Sequence, residues 1–254
     1  MPPKIDVIPK TGERALIGGM TGSGKTSLGL WILKRLSDPV IIYDTKIEPK
    51  FLALPKSREV QTPEELYEAY NNNADINEAG NEETLFDYFV IRPSADELLD
   101  PEAMDELWLN YHYNYLQGAP AYIDELSQWH NNMRPGRGLL NLLARGRSKG
   151  ITLIMSTQRP RNISLSCLSE ADRYFLMKLN LPDDRKRFGD VMRGIDPLYD
   201  TPKHFFHYYD HELDTSVFFN PVPLDDALNF GYTDASGANS MPTQDSAENL
   251  ITII

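Results

Sequence analysis

Near the start of the chain, "GGMTGSGKTSLGLWIL" spans residues 18–33. From Gly19 to Thr26 it reads G-x-x-x-x-G-K-T, the spacing of a phosphate-binding P-loop. The chemistry asks for these residue types. Gly19, Gly22 and Gly24 let the backbone curl until successive N–H groups point inward at an anion. Met20, Thr21 and Ser23 lend main-chain amides to the same cradle, and Ser27 closes the candidate nucleotide-binding stretch. Lys25 is placed to reach β- and γ-phosphates, and the Thr26 hydroxyl to ligate Mg²⁺. A helix beginning near Gly24 adds the positive end of its dipole. The plain alternative is a glycine-rich turn with Lys25 in solvent.

Binding a nucleotide is not yet hydrolysing it. "AYIDEL" carries Asp124 and Glu125 at the end of an apolar run. At the carboxyl end of a sheet strand, Asp124 would hold Mg²⁺ through a water and Glu125 would be general base to the attacking water. Two acids in an exposed strand-to-helix turn would read the same way. "STQRP" ends another apolar run, where Gln158 is placed to bridge the γ-phosphate and the water. Arg145 and Arg147, in "LLARGRSKG", could stabilise the charge of a transferring phosphoryl group, supplied in trans from a neighbouring copy. They could equally be surface arginines at a helix C-terminus.

These side chains need a scaffold. "ERALIG" before the P-loop reads as a buried strand, and "TSLGLWILKRL" after it has helical apolar spacing. Further strands are expected at "PVIIYDT" (39–45), "LFDYFVIRP" (85–93), "APAYIDEL" (119–126), "ITLIMSTQRP" (151–160) and "RYFLMKLNL" (173–181). Helices are expected over 62–72, where Thr62, Pro63 and Glu65 form a capping-box start, and over 100–116, 136–150 and 182–193. Residues 71–84 read as a loop, and "HFFHYYDHELDTSVFFN" (204–220) as a β-hairpin at the sheet edge. Alternating strands and helices predict an α/β fold with a mostly parallel sheet flanked by helices. Residues 1–12 read as an N-terminal arm, 13–230 as one ATPase domain, and 231–254 as a flexible tail ending in "LITII".

Composition narrows the function. With 254 residues, 41 % hydrophobic and 24 % charged, the chain can bury a core of its own. No apolar run approaches the ~20 residues of a membrane span, and "MPPKIDVIPK" lacks the apolar stretch of a secretory signal. Cys167 is the single cysteine, which fits a reducing cytoplasm. A net charge of -12 argues against nucleic acid until its distribution is seen. Residues 57–126 hold 2 Lys/Arg against 17 Asp/Glu, whereas 127–190 hold 12 against 5. Such segregation marks a basic surface on an acidic body, unless the two segments neutralise each other on folding. His204, His207 and His211 do not suit a shared metal, because 204 and 207 face opposite sides of a strand. Asp44 either contacts nucleotide or caps a turn, and "DDRKRF" (183–188) is a solvated helix face or a contact for DNA or another subunit.

Taken together, GMTGSGKT, YIDEL and above all GRSKGITLIMSTQRP resemble the FtsK/HerA class of ring ATPases, over residues 13–180. The resemblance implies a RecA-like P-loop fold of the ASCE type, ATP and Mg²⁺ as cofactors, and a homo-oligomeric ring of five or six copies moving double-stranded DNA without regard to sequence. It implies that Gln158 is the sensor glutamine and that Arg147 matches the arginine finger, with Arg145 adjacent. Without a membrane segment or a winged-helix module, the chain is most similar to genome-packaging ATPases of tailless, internal-membrane dsDNA viruses. That branch implies capsid or portal-vertex partners and a place in the host cytoplasm or at a packaging vertex of the virion. A cellular or plasmid translocase, a small-molecule kinase and an ATP-driven protein assembly factor are the alternatives.

Overall fold

The computed structural model describes residues 5–76, 82–131, 134–196, 199–211, 214, 216–222 and 232–233. The first half of the chain runs through β1 (Arg14–Gly18), α1 (Lys25–Leu33), β2 (Val40–Asp44), α2 (Pro49–Leu52), β3 (Ser57–Val60) and α3 (Pro63–Asn71). It continues through β4 (Ala74–Ile76), β5 (Glu82–Thr84), β6 (Tyr88–Ile91), α4 (Ala95–Leu99), α5 (Pro101–Met104), a π turn (Asp105–Asn110) and α6 (Tyr111–Tyr115). Next come β7 (Ala121–Asp124), β8 (His130–Asn131), β9 (Arg134–Pro135), α7 (Arg137–Arg145), a 3₁₀ turn (Gly146–Lys149) and β10 (Leu153–Thr157). The last described elements are α8 (Leu165–Ser169), β11 (Arg173–Met177), α9 (Pro182–Gly189), β12 (Phe206–Asp210), β13 (Val217–Phe219) and β14 (Tyr232–Thr233).

The main sheet has the order β14-β13-β12-β11-β1-β10-β7-β2-β6-β3. Seven adjacent strands, from β11 to β3, are parallel, and β12, β13 and β14 add antiparallel pairs at one side. The expected α/β architecture is therefore the observed one. Parallel strands must be covered on both faces, and their side chains alternate between two cores. Ala15 and Ile17 of β1 go to the face covered by α1, α2 and the buried Ile5 and Val7. Leu16 goes to the face covered by α3, the π turn, α7, α8 and α9.

Several local expectations are revised. Residues 71–84 are not loop throughout: β4 and β5 pair as an antiparallel ribbon. The helix over 100–116 is interrupted by its π turn, which aims the buried Asp105 carboxylate at α7. Gly138 N donates to Asp105 Oδ2 (2.6 Å) and Leu139 N to Oδ1 (2.8 Å), so the first turn of α7 is capped from a distant helix. The hairpin expected at 204–220 is present as β12 and β13, with β14 pairing outside it. Of the tail placed at 231–254, all but Tyr232–Thr233 lies outside the described residues, "LITII" included. The segment read as an arm buries Ile5 and Val7 in the core, an apolar i, i+2 pair that fits against the sheet. No helix among the described residues is long and apolar enough to cross a membrane.

Candidate active site

The register of the parallel strands sets their carboxyl ends side by side: Gly18 of β1 opposite Thr157 of β10, and Asp44 of β2 opposite Asp124 of β7. The loops leaving these ends meet over one edge of the sheet, where α/β folds bind ligands.

The P-loop is tied to both neighbours of β1. Gly19 N donates to Thr157 O (3.1 Å) and Met20 N to Lys178 O (2.7 Å). Gly24 stands at φ +108, a left-handed conformation, with Met177 Cε 3.0 Å and His204 Nδ1 3.1 Å from where a side chain would begin. It offers no side chain to cap α1, so the helix presents free amides at the mouth of the loop. Lys25, almost wholly buried, donates from Nζ to the carbonyls of Gly19 (2.6 Å) and Met20 (3.1 Å). Burial and the charge of Lys46 pull its pKa down to about 8, against the opposing pull of Glu125 and Asp124.

Asp124 is buried. Its Oδ1 accepts from Ser156 Oγ (2.9 Å), and its Oδ2 takes no hydrogen bond among the described residues, with Lys46 Nζ at 3.8 Å. Burial raises its pKa in spite of Lys46. No group of three or more His, Cys, Asp or Glu able to hold a metal exists among the described residues. A divalent ion here would rest on a few hard oxygens plus phosphate and water, the way Mg²⁺ binds, and the Thr26 hydroxyl and Asp124 Oδ2 fit that donor set.

Glu125 follows at φ +59. Both carboxylate oxygens are engaged. Oε2 accepts from Lys46 Nζ at 2.8 Å, and Oε1 from Ser127 Oγ (2.7 Å), Thr157 Oγ1 (3.3 Å) and Gln158 N (3.3 Å). Burial alone would push its pKa up. The Lys46 ion pair and the hydrogen bonds from Ser127 and Gln158 outweigh that and hold it below the usual carboxylate value, so the group is ionised. Gln158 bridges two loops: its Oε1 accepts from Thr21 Oγ1 at 2.7 Å while its backbone N–H donates to Glu125 Oε1.

The sheet edge thus gathers the P-loop, Asp124, Glu125 and Gln158. It does not gather Arg145 and Arg147. Arg147 packs on Gly12, before β1, and pairs with Asp172 before β11, at the amino end of the sheet. Arg145, at the end of α7, has no side-chain partner among the described residues. Asp44 is committed to its own turn: it accepts from Lys46 N (3.3 Å) and Glu48 N (3.0 Å) and pairs with Arg92 Nε (3.0 Å). His207 lies between Tyr199 and Phe218, and His211 against Tyr174 and Tyr209. Lys46 escapes sequence reasoning altogether. The signal was there, a lysine two residues past a strand-end acid at the carboxyl edge, but no motif singles it out.

No protein-family model matches the chain. In sequence it is similar to the DNA packaging ATPase P9 of Enterobacteria phage PRD1, 28 % identical over 234 residues, which covers 87 % of this chain and 92 % of the relative. In fold it is similar to the genome packaging NTPase B204 of Sulfolobus turreted icosahedral virus 2, solved in complex with AMPPCP. That likeness has a TM-score of 0.61 at 17 % identity and covers 83 % of this chain and 98 % of that one. VirB4 of Thermoanaerobacter pseudethanolicus is equally similar in fold, with a TM-score of 0.61 at 12 % identity, covering 84 % and 90 %. The resemblance carried by the P-loop, YIDEL and GRSKGITLIMSTQRP stretches is borne out in sequence and in fold.

Proposed function

We propose that the chain is an ATPase that drives double-stranded DNA into a viral capsid, acting as a ring of five or six copies. One observation carries the reading. A P-loop and an ionised Glu125 share one sheet edge in a chain similar, over 87 % of its length, to a DNA packaging ATPase.

In this mechanism Lys25 leaves the Gly19 and Met20 carbonyls for the phosphate oxygens of ATP. Thr26 and Asp124 are the residues that would hold Mg²⁺, which when bound neutralises phosphate charge. Glu125 accepts the proton of the attacking water, the water oxygen bonds to the γ-phosphorus, and the bond to the β–γ bridging oxygen breaks, leaving ADP and phosphate. Gln158, already joined to Thr21 of the P-loop, holds the water and the γ-phosphate in line. Arg147 or Arg145 of the adjacent copy stabilises the charge on the transferring group.

Charge supports the DNA substrate. Among the described residues no ion pair joins the basic segment 127–190 to the acidic segment 57–126. Arg134, Arg137, Lys186 and Arg187 have no ion-pair partner there and are the candidates for sequence-independent phosphate contact. Capsid or portal-vertex proteins would be the fixed partners, in the host cytoplasm and at the packaging vertex.

ATP turnover measured with and without duplex DNA, across a salt series, tests the proposal. Turnover should rise with duplex DNA at low salt, lose that stimulation as salt increases, and vanish in Lys25→Ala. Turnover indifferent to DNA at every salt concentration would end the motor reading.

A further inference from the structure

Lys46 stands in a turn built to hold its backbone still. The fully buried Asp44 carboxylate accepts from two amides of that turn and is itself clamped by Arg92. Arg92 also donates to Glu48 O (3.1 Å), Ile47 takes a left-handed φ of +56, and Thr45 Oγ1 donates to the Asp124 carbonyl (2.9 Å). The side chain above this turn is one-third exposed, unlike the carboxylates it meets. Its ammonium lies 2.8 Å from Glu125 Oε2 and 3.8 Å from Asp124 Oδ2.

We infer that Lys46 is an exchanging cation: in its place on Glu125 it holds the general base back, and it passes to the γ-phosphate when ATP binds, releasing Glu125 to the attacking water. This rests on Glu125 being the general base. Three observations support it. Oε1 of Glu125 takes three donors and Lys46 sits on Oε2, where its charge opposes transfer of a water proton to the carboxylate. Lys25 is parked on P-loop carbonyls in the same way, so the site holds both of its cations on internal partners that a nucleotide would replace. A γ-phosphate adds negative charge to a cavity already holding Asp124 and Glu125, and Lys46 is the only other ammonium described beside them. ADP lacks that group, so the exchange would distinguish ATP from ADP. A static ion pair fastening the β2 turn to β7 would make no such distinction.

The test is direct nucleotide binding to the full chain, by calorimetry with ATP and with ADP, in a double-mutant cycle of Lys46→Met and Glu125→Gln. Lys46→Met should bind ADP as the wild type does, which also shows that it folds, and bind ATP about tenfold more weakly. Glu125→Gln should tighten ATP by about tenfold because no carboxylate competes for Lys46, and most of that gain should disappear in the Lys46→Met background. Lys46→Arg should restore ATP binding in part. Equal weakening of ATP and ADP, or a Glu125→Gln effect that is the same in both backgrounds, overturns the exchange. Should Lys46→Met fail to bind ADP, Lys46→Gln is read by the same criteria. A wild type that binds neither nucleotide would instead remove the ATPase reading.

Discussion

Arg147 Nη2 and Asp172 Oδ1 lie 2.6 Å apart at the amino end of the sheet, and Arg14 holds the same carboxylate from its other side through Nε at 3.0 Å. From Gly12, against which Arg147 packs, the chain runs the whole length of β1 before reaching the P-loop. Five strand residues span ~16 Å, more than an arginine side chain reaches. Neither Arg147 nor Arg145 can serve the site of its own copy. Arg147→Ala, or Arg145→Ala if that residue is the finger, should abolish turnover and leave ATP affinity nearly intact. Mixed with inactive Lys25→Ala protein, the active finger of one chain should meet the intact P-loop of the other, and part of the turnover should return. Mixtures as dead as their components would mean that no guanidinium is shared.

Glu125→Gln keeps the shape of the side chain and removes its basicity. Turnover should fall by roughly 10²–10⁴, the worth of a positioned general base, while ATP binding is retained. Single-turnover quench with bound ATP checks this, since it isolates cleavage from product release. Cleavage at the wild-type rate would place the base elsewhere.

Gly138 has no room for a methyl group. A Cβ there would lie 2.2 Å from the Asn110 amide nitrogen and 2.6 Å from the Leu109 carbonyl carbon, both backbone atoms of the π turn. Gly138→Ala should therefore destabilise the fold by about 1–3 kcal/mol, the usual cost of overpacking. Urea unfolding should show a lower midpoint with an unchanged slope; an unmoved midpoint would mean that α7 shifts away freely.

Asp105 ties stability to pH. Burial lifts its pKa to about 6, against the pull of the Gly138 and Leu139 amides that it accepts. A carboxyl raised in the folded state contributes stability that is fully present below the unfolded value near 3.8 and is lost as pH rises through about 6. The contribution is on the order of 3 kcal/mol. Asp105→Asn removes it, so the stability difference between wild type and variant should change across pH 4–6 and flatten on either side. Parallel stability curves through that window would show that Asp105 titrates normally.

Much of the site was readable because its signals are local. The P-loop is eight consecutive residues, and Asp124 and Glu125 close an apolar run that reads as a strand. The parallel sheet followed from apolar runs alternating with helical spacing, and the Thr62 cap was legible, although the Glu65 carboxylate accepts from Gln61 N rather than from Thr62 N. What stayed hidden depends on partners far along the chain. Lys46 meets Glu125 across 79 positions, and Asp105 caps Gly138 across 33. The π turn carries that second contact, and no periodicity announces it. Helix α4 is a different kind of miss: Ser94 and Glu97 form a full capping box, a local signal that the short helix behind it made easy to pass over.

The backbone at Glu125 adopts a left-handed conformation that costs an ordinary L-residue roughly 1–2 kcal/mol. Glycine or asparagine would sit there with less strain. Any selection for heat resistance alone, blind to turnover, would drift toward those residues at this position, so engineered hardiness and turnover are set against each other at the residue proposed as the general base.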